Sequence, residues 1–215
     1  MSLSSKLKSL ILYNRHRHYR KFPLKNKDVT ILSNFCAAGA IYNDLGLKFL
    51  SPTINLFFGH HSFIDFVNHL EEYKTAELID TNEFDFYNNK KTPIGILRKS
   101  GLPDVELHFL HYNSFEEAKE KWLNRYERIV KDKIYLVIEA KAEHEHSLID
   151  EYAMLPFPKV IFTNLESIPE KSVLHMKYYD TKRSKVKPIL SITNPFGRKG
   201  YDQFDFVNEI FNRDY

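Results

Sequence analysis

Apolar residues in this chain fall into short runs separated by polar, turn-rich stretches, and the runs alternate between two periods. Residues 28–33 (Asp-Val-Thr-Ile-Leu-Ser), 53–58 (Thr-Ile-Asn-Leu-Phe-Phe), 133–139 and 159–163 are brief and nearly continuous, as in strands buried on both faces. Between them lie stretches with apolar residues at helical spacing: 37–48, 62–73, 114–130, 147–155 and 203–212. Ser114-Phe115-Glu116-Glu117 reads as a capping box opening the third of these helices. Residues 93–98 and 104–111, joined by Lys99-Ser100-Gly101-Leu102-Pro103, read as an antiparallel hairpin. The acidic, Asn-rich stretch 79–91 reads as a connector, residues 173–179 as a further strand, and 180–200 as a basic loop. Strands alternating with helices predict an α/β fold, a three-layer α/β/α domain. Its sheet is expected to be mixed, mostly parallel and to include the antiparallel hairpin.

Charge divides the 215 residues in two. Residues 1–27 carry eight Lys or Arg and no acid, so the remainder has a net charge of −5. We therefore expect a basic amphipathic N-terminal arm over 1–27 and one α/β domain over 28–215. Leu3, Leu7, Leu10 and Ile11 recur at helical spacing within the arm, which suits either a solvated helix docked by its leucines on the body or an anionic membrane surface. Nucleic acid is the weaker partner, because the body is acidic. No apolar run approaches the roughly 20 residues needed to span a bilayer, and no cleavable signal-peptide pattern opens the chain. The single Cys36 excludes an internal disulfide and a multi-cysteine zinc site, and fits a reducing, cytoplasmic compartment.

Candidate chemistry follows from where parallel strands end, because open α/β sheets bind ligands beyond their carboxyl edges. The first strand runs into Ser33, Asn34 and Cys36, the second into Gly59, His60 and His61, and the hairpin ends at His111-Tyr112. Later strands end at Glu139 and at Thr163-Asn164. Cys36, between a strand end and a helix N-terminus, is a candidate nucleophile, or else a small packed hydrophobe. His111 is the candidate base beside it. Ser33, Asn34, His60, His108 and Asn164 are candidate substrate-binding groups, with Arg125 and Arg128 as a fork for phosphate or carboxylate. Glu143-His144-Glu145-His146 lacks the wider ligand spacing of a metal centre, and no metal is expected. Phosphate-loop, dinucleotide, nucleophile-elbow and metalloprotease fingerprints are all missing, so composition and spacing name no enzyme and leave the cofactor unknown.

Several segments together resemble one family. These are Asp28–Cys36, Ile41–Phe58, Thr92–Leu97, the run Glu106–Trp122 with Arg125 and Arg128, and Asp202–Val207. The chain resembles the DUF1919 family over about 28–212, most specifically in the histidine-to-tryptophan run. It differs in having Phe35 immediately before the cysteine, where Asn is common, and in the stretch Glu139-Ala-Lys-Ala-Glu-His-Glu-His. The resemblance implies a cytoplasmic bacterial protein of capsule or exopolysaccharide assembly, with no reaction specified. Two functions are open at this point. One is a transferase (acyl, glycosyl or phosphoryl) acting on a carbohydrate with an activated donor. The other is a carbohydrate- or partner-binding module without catalysis.

Overall fold

The computed structural model describes residues 3–87, 90–140, 146–163, 173–175, 190 and 197–215. In chain order the elements are α1 (Leu3–Tyr19), β1 (Thr30–Ser33), α2 (Ala37–Leu45) and α3 (His60–Asn68). A long hairpin follows, β2 (Glu77–Tyr87) and β3 (Lys90–Arg98), then β4 (Val105–His108) and α4 (Phe115–Tyr126). Next come β5 (Ile134–Ala140), α5 (His146–Met154), β6 (Lys159–Thr163) and β7 (Val173–His175). A 3-10 turn at Gly200–Gln203 and a short π-helix at Val207–Phe211 stand where one closing helix was expected.

The α/β class holds, but its strands form two sheets instead of one mixed sheet. β1, β5, β6 and β7 make a four-stranded parallel sheet in that order. β2, β3 and β4 make a separate antiparallel sheet. The parallel strands are buried on both faces, as their unbroken apolar runs require. On one face Leu136, Ile138 and Ala140 of β5 join a core with Phe63 and Phe66 of α3, Trp122 and Tyr126 of α4, and Leu78, Leu97 and Leu107 of the antiparallel sheet. On the other, Tyr135 and Val137 meet Ile41 and Tyr42 of α2 and the C-terminal Tyr201, Phe206 and Phe211. Local signals set several boundaries. Gly46 closes α2 with φ +69, and Ser114 Oγ accepts the Glu117 N–H at 3.2 Å to open α4.

Two expectations fail for visible reasons. Residues 53–58 do not form a strand, because Asn55 adopts φ +66 and only Phe57 pairs, with His108 across a single antiparallel bridge. That segment instead joins the two sheets. The Phe58 N–H donates to Asn34 O, while the Phe57 N–H donates to His108 O, both at 3.0 Å. The supposed connector at 79–91 is most of β2 and the start of β3. Its polar side chains face water along the sheet edge, and a bulge around Asn82, with φ +59, breaks the alternation.

The basic arm is mostly helix α1, and its apolar residues are not gathered on one face. Leu7, Leu10 and Tyr13 are 60 %, 55 % and 62 % exposed. The Ile11 side chain comes so close to Gly197 that a Cβ there would lie 2.8 Å from Ile11 Cγ2. One turn on, Arg15 is buried. Its guanidinium donates to Asp44 at 2.7 Å, to both Asp202 oxygens at 2.5 and 2.8 Å, to Tyr201 Oη at 2.9 Å and to Gly197 O at 3.0 Å. Burial alone would raise the Asp44 carboxyl, but Arg15, Lys199 and Tyr201 hold it below the ordinary carboxylate range. Among the described residues no helix is long and apolar enough to cross a membrane.

Candidate functional site

β1 and β5 run in parallel, so Asn34 and Glu139 meet at the carboxyl edge of the sheet. The Asn34 carboxamide takes the place of a backbone pair. Its Nδ2 donates to Glu139 O and its Oδ1 accepts the Glu139 N–H, both at 2.9 Å. The same Nδ2 lies 3.4 Å from Tyr152 Oη of α5, and that oxygen lies 2.5 Å from His60 Nδ1 at the start of α3. Burial pushes the Tyr152 phenol up, so it keeps its proton. An amide nitrogen can only donate, so the Tyr152 oxygen accepts from Asn34, and its hydroxyl links that amide to the His60 imidazole.

These groups border a cleft of about 420 Å³ lined by Asn34, Phe35, Phe57, Phe58, Gly59, His60 and Glu139. That volume is within the range of small-molecule sites. Phe57 is held from behind by His108, whose ring stacks on it with centroids 4.1 Å apart and planes at 15°. His108 is fixed in turn by carboxylates at both ring nitrogens, Asp85 at Nδ1 and Glu106 at Nε2, the latter at 2.7 Å. The cleft therefore combines an aromatic wall with an imidazole and a carboxylate-bearing residue, at the seam between the two sheets.

The structure sorts the sequence candidates. Asn34 and His60 come together in the cleft, with His108 behind its wall. Ser33 is buried and structural: its N–H donates to Thr53 Oγ1 at 3.0 Å. Cys36 does precede α2, but the expected lowering of its thiol is corrected. Burial, and then the charge of Glu139, push it up to about 12, and its Sγ sits 3.7 Å from Leu56 O. The helix dipole loses to desolvation there. His111 is in the turn after β4, with its ring edge-on to Tyr87 at 4.9 Å, and no hydrogen bond links it to Cys36. Burial against its neighbours lowers its pKa.

Arg125 and Arg128 belong elsewhere. Thr30, at the start of β1, donates to Leu50 O and accepts the Val130 N–H, which fixes the segments around Phe49 and Arg128 at the opposite edge of the sheet. Asn164 lies outside the described residues, as do Glu143, His144, Glu145 and most of the 180–200 loop. Among the described residues no group of three or more His, Cys, Asp or Glu is placed to hold a metal ion. Tyr152 and Phe57 escape a reading of the sequence. Tyr152 looks like any core tyrosine of an amphipathic helix, and Phe57 looks like a strand residue.

Comparison with known proteins adds family membership. A family model described as Domain of unknown function (DUF1919) matches residues 7–211, so the match takes in most of α1 as well as the body. A relative from Haemophilus influenzae, printed as an uncharacterized protein, is 32 % identical over 185 residues, covering 86 % of this chain and 84 % of its own length.

Proposed function

The chain belongs to the DUF1919 family, and on that footing we propose that it serves bacterial surface-polysaccharide biosynthesis as a transferase that builds or modifies a glycan. The observation that carries this reading is the make-up of the cleft. Phe57, backed by His108, offers a flat apolar surface for the C–H face of a sugar ring. Glu139 and His60 bring a carboxylate and an imidazole to the same cleft, groups suited to hydrogen-bonding sugar hydroxyls. In the transfer step a sugar hydroxyl attacks the activated group of the donor and Glu139 accepts the hydroxyl proton; the bond between that group and its carrier breaks, the carrier leaves with the electron pair, and His60 steadies the charge developing on it. The protein works at the cytoplasmic membrane face. The charge of the arm, eight basic residues and no acid, supports that placement, with Leu7 and Leu10 exposed on it.

A second reading, a carbohydrate-binding module without catalysis, is favoured by one specific observation. The residues first expected to do chemistry are not poised for it: the Cys36 thiol is raised, and His111 packs edge-on to Tyr87 with no hydrogen bond to Cys36.

The test is binding and turnover measured together. Mono- and oligosaccharides, nucleotide sugars and acetyl-CoA are screened by thermal shift, and mixtures are then searched for product by mass spectrometry. A ligand at about 100 times its Kd adds about 2.7 kcal/mol of stability, or roughly 5–10 °C at this chain length. We expect a saccharide response that disappears in Phe57→Ala and His60→Ala, and a product that disappears in Glu139→Gln. Binding without product establishes the second reading. No saccharide response, or one indifferent to Phe57 and His60, removes both.

A further inference from the structure

At the amino edge of the parallel sheet lies a second cleft, of about 370 Å³, lined by Leu47, Lys48, Phe49, Lys121, Asn124, Arg125 and Arg128. It shares no lining residue with the first cleft and is separated from it by the length of β1, about 10 Å at the usual rise of a strand. Four of its seven lining residues are cationic and none is acidic. Several cations elsewhere in this protein are neutralised: Arg15, Lys25, Lys74, Arg98, Lys131, Lys133 and Lys199 each have a carboxylate within 4 Å. Among the described residues Lys48, Lys121, Arg125 and Arg128 form no such pair.

The arrangement is also ordered in advance. Helical spacing aligns Lys121, Asn124 and Arg125 on one face of α4, and Arg128 follows in the turn that ends it. Arg125 is 9 % exposed. Its Nη1 donates to Tyr112 Oη at 2.6 Å and to Ile54 O at 3.4 Å, while its guanidinium lies 5.4 Å from the Phe49 ring centroid. Arg128 Nη1 donates to Phe49 O at 3.4 Å. Each guanidinium is thus tethered through one nitrogen, and its remaining N–H groups are available to another acceptor. Gathering four like charges is unfavourable for the empty protein, and an anion of two or more charges relieves that repulsion.

We propose that this cleft binds a phosphate-bearing small molecule, with the phosphate between Lys48, Lys121, Arg125 and Arg128. A phosphate monoester suits the set better than a carboxylate, having about two charges and three terminal oxygens to share among four cations. The cleft is large enough to accept a small organic group attached to that phosphate. This inference stands apart from the sugar reading of the first cleft and does not depend on it.

The experiment is calorimetric titration of the full chain with inorganic phosphate, pyrophosphate and glycerol 3-phosphate, at ionic strength held constant with sodium chloride. The variants are Lys121→Ala/Arg128→Ala, Lys48→Ala/Lys121→Ala and, at the other cleft, His60→Ala. We expect saturable binding of one phosphate compound per chain, weakened about tenfold or more in either cationic variant and unchanged in His60→Ala. A tighter fit for glycerol 3-phosphate than for inorganic phosphate identifies an organic phosphate; the reverse identifies the free ion. Circular dichroism of each variant guards against unfolding, and the Lys48/Lys121 pair, on flexible side chains, gives an answer even if Arg128 proves structural. The proposal fails if none of the three compounds binds, or if the cationic variants bind as tightly as the parent.

Discussion

At the scale of single residues, Cys36 shows burial overriding a local electrostatic signal. Its place before α2 suggests a thiolate, yet desolvation and the nearby Glu139 charge hold it as a thiol up to about 12. Against an ordinary thiol near 9.0, the thiolate fraction at neutral pH falls by roughly 10³. Alkylation of the native chain by iodoacetamide at pH 8 should therefore be at least about 100-fold slower than in urea. Its rate should still be climbing at pH 10, where a free thiol has levelled off. Stability carries the same sign. The folded thiol binds its proton more tightly than the unfolded one, so its contribution is complete below pH 9 and is lost as pH rises toward 12. Burial also raises Tyr73 and Tyr215, each to about 12, and these act in the same direction above pH 10. The melting temperature should accordingly decline steadily between pH 9 and 12. A flat profile there would contradict the burial of these groups.

Secondary-structure elements meet tightly at Gly95 in the middle of β3. A Cβ added there would lie 2.8 Å from the Phe115 ring, 3.1 Å from Phe109 and 3.2 Å from Leu78. Gly95→Ala should cost about 1–3 kcal/mol of stability, seen as a melting temperature lower by roughly 2–4 °C for each kcal/mol. Gly101 has open space around a Cβ but φ +83, so Gly101→Ala reports backbone strain alone and should not disturb packing. The buried elements of the fold were readable in the sequence. β1, β5 and β6 announce themselves as apolar runs, and α4 by its cap. β2 was not readable, because a solvated edge strand has no need of apolar alternation, and its Asp and Asn residues look like loop. Residues 53–58 misled in the opposite sense: they are as apolar as a strand, but one left-handed Asn55 turns the chain. Of the candidate site, the residues that follow parallel strands could be found by rule, and Asn34 was. Tyr152 could not, since only three-dimensional packing places its hydroxyl between Asn34 and His60. Arg125 and Arg128 were recognised as a unit but not as a separate place, because sequence spacing does not say which edge of a sheet a helix approaches.

Across the whole molecule, the arm and the body are not independent. Arg15 is 4 % exposed and joins α1 to Asp44 on one side and Asp202 on the other. Arg15→Met should leave two acidic groups buried without their main partner, at about 3–5 kcal/mol. The melting temperature should then fall by about 10 °C or more. Lys21→Met, an exposed position on the same arm, should leave it unchanged. If the two variants melt alike, the network contributes nothing net to stability and α1 is a removable appendage.

The same ion pair has a meaning in time. Arg15 and Asp202 are separated by 187 positions, and a chain grows from its N-terminus at about 5–20 residues per second. For roughly 10–40 seconds, therefore, every nascent copy holds its arginine-bearing helix with the later acidic partner still unmade. Only a chain translated through Asp202 can complete the cluster around Arg15, so the first helix to be synthesised is among the last to be fully fastened.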